Sequence, residues 1–411
     1  STKNETTPIS IKDIQEIIDN KTAIISYVIN DTCIYTFTLT KTNLSIETIP
    51  IKNLPELVNY YRYGLIYTNS TRFANYYKDY SFTLYDQLFP KTLKKSVKDL
   101  IIIPDGELSF IPFETLLTEK SSDQNWKELP YLIKDYNISY SYSANLYYKT
   151  FLKSLLPRLK KGELPEVTDL NDWLAIAPVF NDEITASLTL RTRELLHQLD
   201  TISGDTTGTR GTLITGEYVS PLPGTENEVR AIFDQYDQIG KKALVQINNN
   251  ANEKFIKSGE LEKYRFLHFA THGFVNTLKP ELSGILLAQD STINEDGILY
   301  SGEIYNLKLN SDLTVLSACE TGLGKIKKGE GLIGLTRALL YAGSKNIIVS
   351  LWKVADNSTS DLMIDFYKNL LEAKQEKQEF SQALRQAKLK MIDEGKYAHP
   401  FYWSPFILIG K

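Results

Sequence analysis

The spacing of apolar residues divides the chain into two regimes. In the first, helical and alternating stretches are mixed. Residues 11–20 have helical spacing, whereas 22–29 and 33–40 alternate as strands around Asn30-Asp31-Thr32, the pattern of a hairpin. Residues 54–88 are mostly helical in spacing and rich in tyrosine. The β-rich run 97–103 stops at Pro104-Asp105-Gly106, residues 138–142 alternate again, and 145–156 return to a helical period. The charged stretch 157–170, with Gly162 and Pro165, reads as a linker between a segment 1–160 and a segment 166–411.

Beyond the linker, strand-like and helical runs take turns. Strands are predicted at 173–180, 243–247, 264–272, 313–319, 346–352 and 406–409, with a hairpin pairing 284–288 with 298–300. Helices are predicted from a capping box at Thr225-Glu-Asn-Glu228 through Tyr236, and at 251–259, 331–342, 358–371 and 379–392. Gly343 suits a left-handed helix cap, and the Gly- and Thr-rich 199–216 reads as an exposed loop. Alternating βα units imply an α/β fold with a mainly parallel sheet covered on both faces. In such a fold, ligands sit beyond the carboxyl ends of the strands.

Composition narrows the function. The chain has 411 residues, enough for two or three domains, with 42% hydrophobic and 23% charged residues and a net charge of −4. No basic excess exists to neutralise phosphates, so no direct nucleic-acid partner is expected. Two cysteines, Cys33 and Cys319, make no disulfide framework and suit a reducing cytoplasm. No apolar run is long enough to span a membrane, and the opening Ser1-Thr-Lys-Asn-Glu lacks a signal peptide's regions. The missing initiator methionine reads as an excised part of a longer chain. With four histidines and two cysteines, no zinc pattern or other metal site is expected.

Two apolar runs end on reactive side chains. One, beginning at Tyr264, ends at His272 and is followed by Gly273; the other, beginning at Leu313, ends at Cys319 and is followed by Glu320-Thr-Gly-Leu-Gly. Two such strand ends assemble a Cys-His dyad across the edge of a parallel sheet. A thiol of pKa ~8.5 is mostly protonated at neutral pH, and an adjacent imidazole draws off its proton. The backbone N–H groups of Gly273 and Cys319 are candidate oxyanion donors. The alternative is that Cys319 is an inert buried residue, as free cysteines often are. His268, mid-strand between Leu267 and Phe269, reads as a satisfied core histidine. On one extended strand it would share a face with His272 at roughly 13 Å. His197 and His399 have no motif support.

Three neighbours have two readings each. Asp356 either pairs with a basic substrate side chain in a specificity pocket or caps the helix that follows. Trp352 either walls that pocket or packs in the core. Glu320 either faces the site or caps the next turn. The glycines around Lys325-Ile-Lys-Lys328 match no nucleotide-binding pattern and read as an active-site loop.

His268-Phe-Ala-Thr-His-Gly273, Leu316-Ser-Ala-Cys-Glu-Thr-Gly322 with Gly329-Glu-Gly-Leu-Ile-Gly334, and Ser350-Leu-Trp-Lys-Val-Ala-Asp356 together resemble the CHAT family of caspase- and separase-like cysteine peptidases. Weaker likeness lies in Ile103-Pro-Asp-Gly-Glu-Leu108, Leu222-Pro-Gly-Thr-Glu226 and Trp403-Ser-Pro-Phe406. The resemblance implies a caspase-like three-layer sandwich, a His272–Cys319 dyad with no cofactor, and an inactive caspase-like first half. Asp105-Gly106, which follows an apolar run as His272-Gly273 does, fits such a duplication. The resemblance also implies an arginine-reading role for Asp356 and a protein substrate, often in bacterial defence. A sensor or activator module, tetratricopeptide repeats or a separate protein, is implied as well; no repeat of ~34 residues occurs in this chain. Two other functions remain open: a scaffold on the same fold with little turnover, and a hydrolase or transferase of another acyl substrate.

Overall fold

A computed structural model describes residues 9–159, 170–180, 222–274, 276, 279–289, 295–317, 330–352, 356–372 and 380–411. The expectations for His197, Cys319, Glu320, the stretch 199–216 and the loop 325–328 lie outside these residues. The chain divides into two compact units. Residues 1–124, 128–164 and 410–411 form the first, and residues 125–127 and 165–409 form the second.

The first unit opens with α1 (Ile11–Ile17), whose N-terminus is closed by a reciprocal Ser10–Asp13 capping box. Strands β1 (Thr22–Ile29) and β2 (Cys33–Thr40) form the expected hairpin, and β3 (Leu44–Pro50) extends it. Helices α2 (Leu54–Ile66) and α3 (Thr71–Leu88) follow, then β4 (Asp99–Ile103), β5 (Asn137–Tyr140) and α4 (Ala144–Leu159). The strands lie in the order β3-β2-β1-β4-β5, with β4 parallel to both its neighbours. Gly64 is required where α2 meets α3, because a Cβ there would lie 2.4 Å from the Tyr77 nitrogen. Asp105, just past β4, accepts the Ile29 N–H at 2.8 Å.

The second unit carries β6 (Asn171–Ala177), α5 (Pro223–Gln238), β7 (Ala243–Ile247), α6 (Glu253–Lys257) and β8 (Tyr264–Phe269). A small antiparallel sheet of β9 (Gly273–Phe274), β10 (Gly284–Leu286) and β11 (Ile298–Tyr300) follows. Then come α7 (Ser301–Ile304), β12 (Leu313–Leu316), α8 (Glu330–Ala342), β13 (Ile347–Ser350), α9 (Asp356–Glu372), α10 (Phe380–Glu394), α11 (Pro400–Trp403) and β14 (Phe406–Ile409). The main sheet has the order β14-β13-β12-β8-β6-β7, parallel except for β14. Right-handed crossovers place α5 on one face, and α6 and α8 on the other. Helix α9 packs on α5 and α10, which completes helical layers on both faces.

The sequence placed most of the strands, left β3 unmarked and misread details elsewhere. The strand expected over 313–319 stops at Leu316. The capping box at Thr225-Glu-Asn-Glu228 does not form. Helix α5 begins at Pro223, where proline's missing N–H costs nothing, and no side chain caps it. The strand expected to run to His272 stops at Phe269. Gly343 has the expected positive φ, 120°, and Leu309 leaves no room for a Cβ, which would lie 2.0 Å from its carbonyl oxygen.

Candidate active site

The parallel register aligns two strand ends. Leu316, the last residue of β12, pairs with Phe269, the last of β8, and Ile176 of β6 pairs with Phe269 from the other side. Past Phe269 the Ala270 N–H still reaches the Ile176 oxygen at 2.9 Å, and then the chain leaves the main sheet for the small one. The Thr271 hydroxyl donates to the Leu286 oxygen, and the Leu286 N–H donates to the His272 oxygen at 2.8 Å. His272 is therefore held by its backbone between two sheets, three residues beyond β8. Its imidazole is 5% exposed, with the Phe180 ring centroid 5.1 Å from its own.

Gly273 pairs with Ile285. The adjacent bond from Leu286 N–H to His272 oxygen makes Gly273–Ile285 the non-hydrogen-bonded position of the antiparallel alternation. The Gly273 N–H consequently points away from β10, and among the described residues β9 is the outer strand of its sheet. An outward N–H one residue after an imidazole is a suitable oxyanion donor.

Phe180 is a contact that sequence reasoning missed. Val179 and Phe180 have φ of 63° and 41°, left-handed values costly for a β-branched and an aromatic residue. The strained turn after β6 brings the Phe180 ring to His272 and into an apolar cluster with Phe274, Leu286, Ala288 and Ile298. Backbone strain of this kind leaves no local signature in composition.

Trp352 is 2% exposed and donates its indole N–H to the Phe401 oxygen at 3.1 Å, so its side chain packs in the core. Asp356 is the first residue of α9, two residues earlier than the expected helix start.

His268 is the satisfied core histidine that its setting predicts. Its Nε2 lies 2.7 Å from Glu228 Oε1, and its Nδ1 lies 3.3 Å from the Tyr367 hydroxyl, all fully buried. Trp173 stacks on Tyr236 beside them at 5.6 Å. The strand-face relation expected between His268 and His272 does not hold, because β8 ends between them.

His399 accepts the Phe401 N–H at Nδ1 and packs against Trp126 at 4.2 Å. Burial lowers its pKa to about 3, against about 6.5 in an unfolded chain. Between those values, the unfolded state binds a proton that the folded state refuses, so stability falls as pH drops from about 6.5 towards 3. The expected loss reaches about 1.4 kcal/mol per pH unit in that window. His399→Asn keeps a capping side chain and removes the titration. Thermal melts across the window should show a shallower acid decline for the variant; parallel declines would refute the assignment.

Among the described residues, one carboxylate group has metal-ligand spacing: Glu253, Glu295 and Glu303. Lys257 Nζ lies within 2.9, 2.7 and 2.7 Å of the three, so the cluster is an ion-pair pin centred on an ammonium. Burial raises the Glu253 carboxyl to about 7, against the pull of Lys257 and of the Gly297 N–H. Also among the described residues, no helix is long and apolar enough to cross a membrane.

Comparison with known proteins agrees with this architecture. Residues 78–411 match the family model described as "CHAT domain". Tetratricopeptide repeat protein 28 is 31% identical over 115 residues in Mus musculus and 33% identical over 115 residues in Homo sapiens. Each match covers 28% of this chain and 4% of the relative. A Saccharomyces cerevisiae separase–securin complex superposes with a TM-score of 0.57 at 10% identity, covering 97% of this chain and 30% of the solved one. A second structure of that complex gives 0.54 at the same coverage.

Proposed function

The chain belongs to the CHAT domain family and has the caspase-like α/β fold seen in separase, and from that premise we propose that it is a regulated cysteine endopeptidase in which His272 deprotonates Cys319. The observation that carries the reading is the register of β8 and β12. Phe269 and Leu316 end adjacent parallel strands as paired residues. His272 follows the one and Cys319 the other, each after two intervening residues.

The thiol proton passes to the imidazole, and the thiolate attacks a peptide carbonyl carbon. The outward Gly273 N–H, with that of Cys319, bears the developing oxyanion. Collapse of the intermediate breaks the C–N bond, and the imidazolium returns its proton to the leaving amine. Water then hydrolyses the thioester. Asp356, near the same edge, is the proposed reader of a basic residue before the cut, with Glu320 beside the dyad; Trp352, packed in the core, takes no part in the pocket. The first unit is read as an inactive caspase-like half, on the strength of its parallel β1, β4 and β5 with Asp105-Gly106 after the middle strand. The likeness to a tetratricopeptide repeat protein is consistent with a protein partner, which we take to be a sensor or activator module; a cytoplasmic role in bacterial defence is proposed from the family resemblance alone.

The test is incubation of wild type and Cys319→Ala with the products of neighbouring genes, with cuts mapped by mass spectrometry. Cutting by wild type alone is expected. Equal cutting by the variant would sink the dyad. The burial of His272 favours a second reading, a scaffold whose site stays closed. Failure of electrophilic peptide probes to label Cys319 under any activating condition would select it.

A further inference from the structure

We propose that β3 is a homotypic docking edge, through which two copies of the chain pair antiparallel about a two-fold axis at Ile46. Among the described residues, β3 is the outermost strand of the first unit's sheet and is bonded to β2 alone. The bonds at its two ends, Thr40 N–H to Asn43 oxygen at 2.8 Å and Ile51 N–H to Thr32 oxygen at 3.3 Å, fix the alternation between them. Odd-numbered residues of β3 turn their backbone groups to β2. Leu44, Ile46 and Thr48 turn theirs outward. Pro50, next in that series, has no N–H to offer and ends the pairing surface.

Side chains divide the same way. Ser45 and Glu47 both engage the Thr92 hydroxyl, at 3.3 and 3.2 Å, so one face of β3 is occupied. On the other face Leu44 and Ile46 are 37% and 58% exposed, and Val28 in β1 is 47% exposed. Cross-strand pairing sets Phe37 beside Ile46 on this face, which leads the apolar surface to the open edge.

A second copy fits this edge by symmetry. Three outward-facing residues have a central one, so self-pairing at Ile46 places Leu44 opposite the copy's Thr48 and satisfies every outward N–H and C=O of the three. The same axis sets Ser45 opposite the copy's Glu47, and no like charges meet. An axis at Glu47 would oppose two carboxylates, which destabilises a cross-strand pair. The apolar row continues through Ile46 into the copy. A long edge strand with exposed apolar residues is a surface that natural proteins normally cover or blunt. Contact through one edge is small by the standards of stable interfaces, so the dimer should be concentration-dependent.

Sedimentation of the whole chain over a wide concentration range tests this. Wild type should dimerise. Ile46→Lys, which opposes two ammonium groups, should weaken association about tenfold or more. Thr48→Pro removes an outward N–H while leaving the β2–β3 ladder whole, and should weaken it also. Circular dichroism and melting temperature identify a variant that fails to fold, in which case the other decides. A short bis-maleimide should cross-link Ile46→Cys to its copy, because hydrogen-bonded antiparallel partners lie about 5.5 Å apart at Cα. Leu44→Cys, facing Thr48, should cross-link far less. A wild type monomeric at every concentration overturns the proposal, as does a dimer that both folded variants leave intact.

Discussion

Replacing His272 with alanine should reduce peptide cleavage at least about a thousandfold, as loss of a general base does where nucleophile and base act as a unit. The backbone at 272 is held by the Leu286 N–H, and the Thr271 hydroxyl holds the chain beside it, so neither bond depends on the side chain. The fold should therefore persist in the variant, with a melting temperature close to wild type. A second readout separates base from bystander. If His272 activates Cys319, alkylation of the thiol in wild type should proceed well below pH 8, because a paired thiolate has a lowered pKa. In His272→Ala the rate should rise only near the ordinary thiol pKa of ~8.5. Unchanged alkylation profiles, or cleavage retained within about tenfold, would remove His272 from the mechanism.

The second large effect concerns stability. Glu228→Ala should destabilise the protein by about 3 kcal/mol or more, because it leaves the His268 imidazole buried without its Nε2 partner. Glu228→Gln keeps an acceptor at the same position and should cost about 1 kcal/mol. The pair ties α5 to the centre of β8, with Trp173, Tyr236 and Tyr367 packed around it. Denaturant midpoints of the two variants measure the difference. If alanine and glutamine cost the same within about 0.5 kcal/mol, the hydrogen bond contributes little and packing carries the site.

Glu228 also illustrates what the sequence could and could not reveal. Thr225 and Glu228 have the spacing of a capping box, yet the carboxylate is taken by a histidine forty residues on in β8. Local spacing has no means of registering a partner that only the tertiary fold supplies. The bounds of β1 and β2 were legible because their β-rich apolar runs are interrupted only by the polar turn Asn30-Asp31-Thr32 between them. β3 carries an alternation, Leu44, Ile46 and Thr48 against Ser45, Glu47 and Ile49, and a period-two scan would have found it. The end of β8 was not legible. Ala270, Thr271 and His272 are as apolar or as buried as strand residues, and only the bonds to Leu286 turn them towards the small sheet. For the site, the motifs singled out His272 and Gly273, whereas Phe180 reaches His272 through two left-handed residues that no pattern marks.

The placement of the tryptophans has a practical consequence. Trp126, Trp173, Trp352 and Trp403, the only four in the chain, all belong to the second unit. The first unit is spectroscopically a tyrosine protein, with rings such as Tyr60, Tyr76 and Tyr80 in mutual contact. Selective excitation of indole emission therefore follows the unfolding of the candidate catalytic unit alone. Tyrosine absorbance, by contrast, draws on both units. If the two signals diverge on titration with denaturant, the units unfold as separate cooperative blocks, and the native chain carries a built-in label for the second.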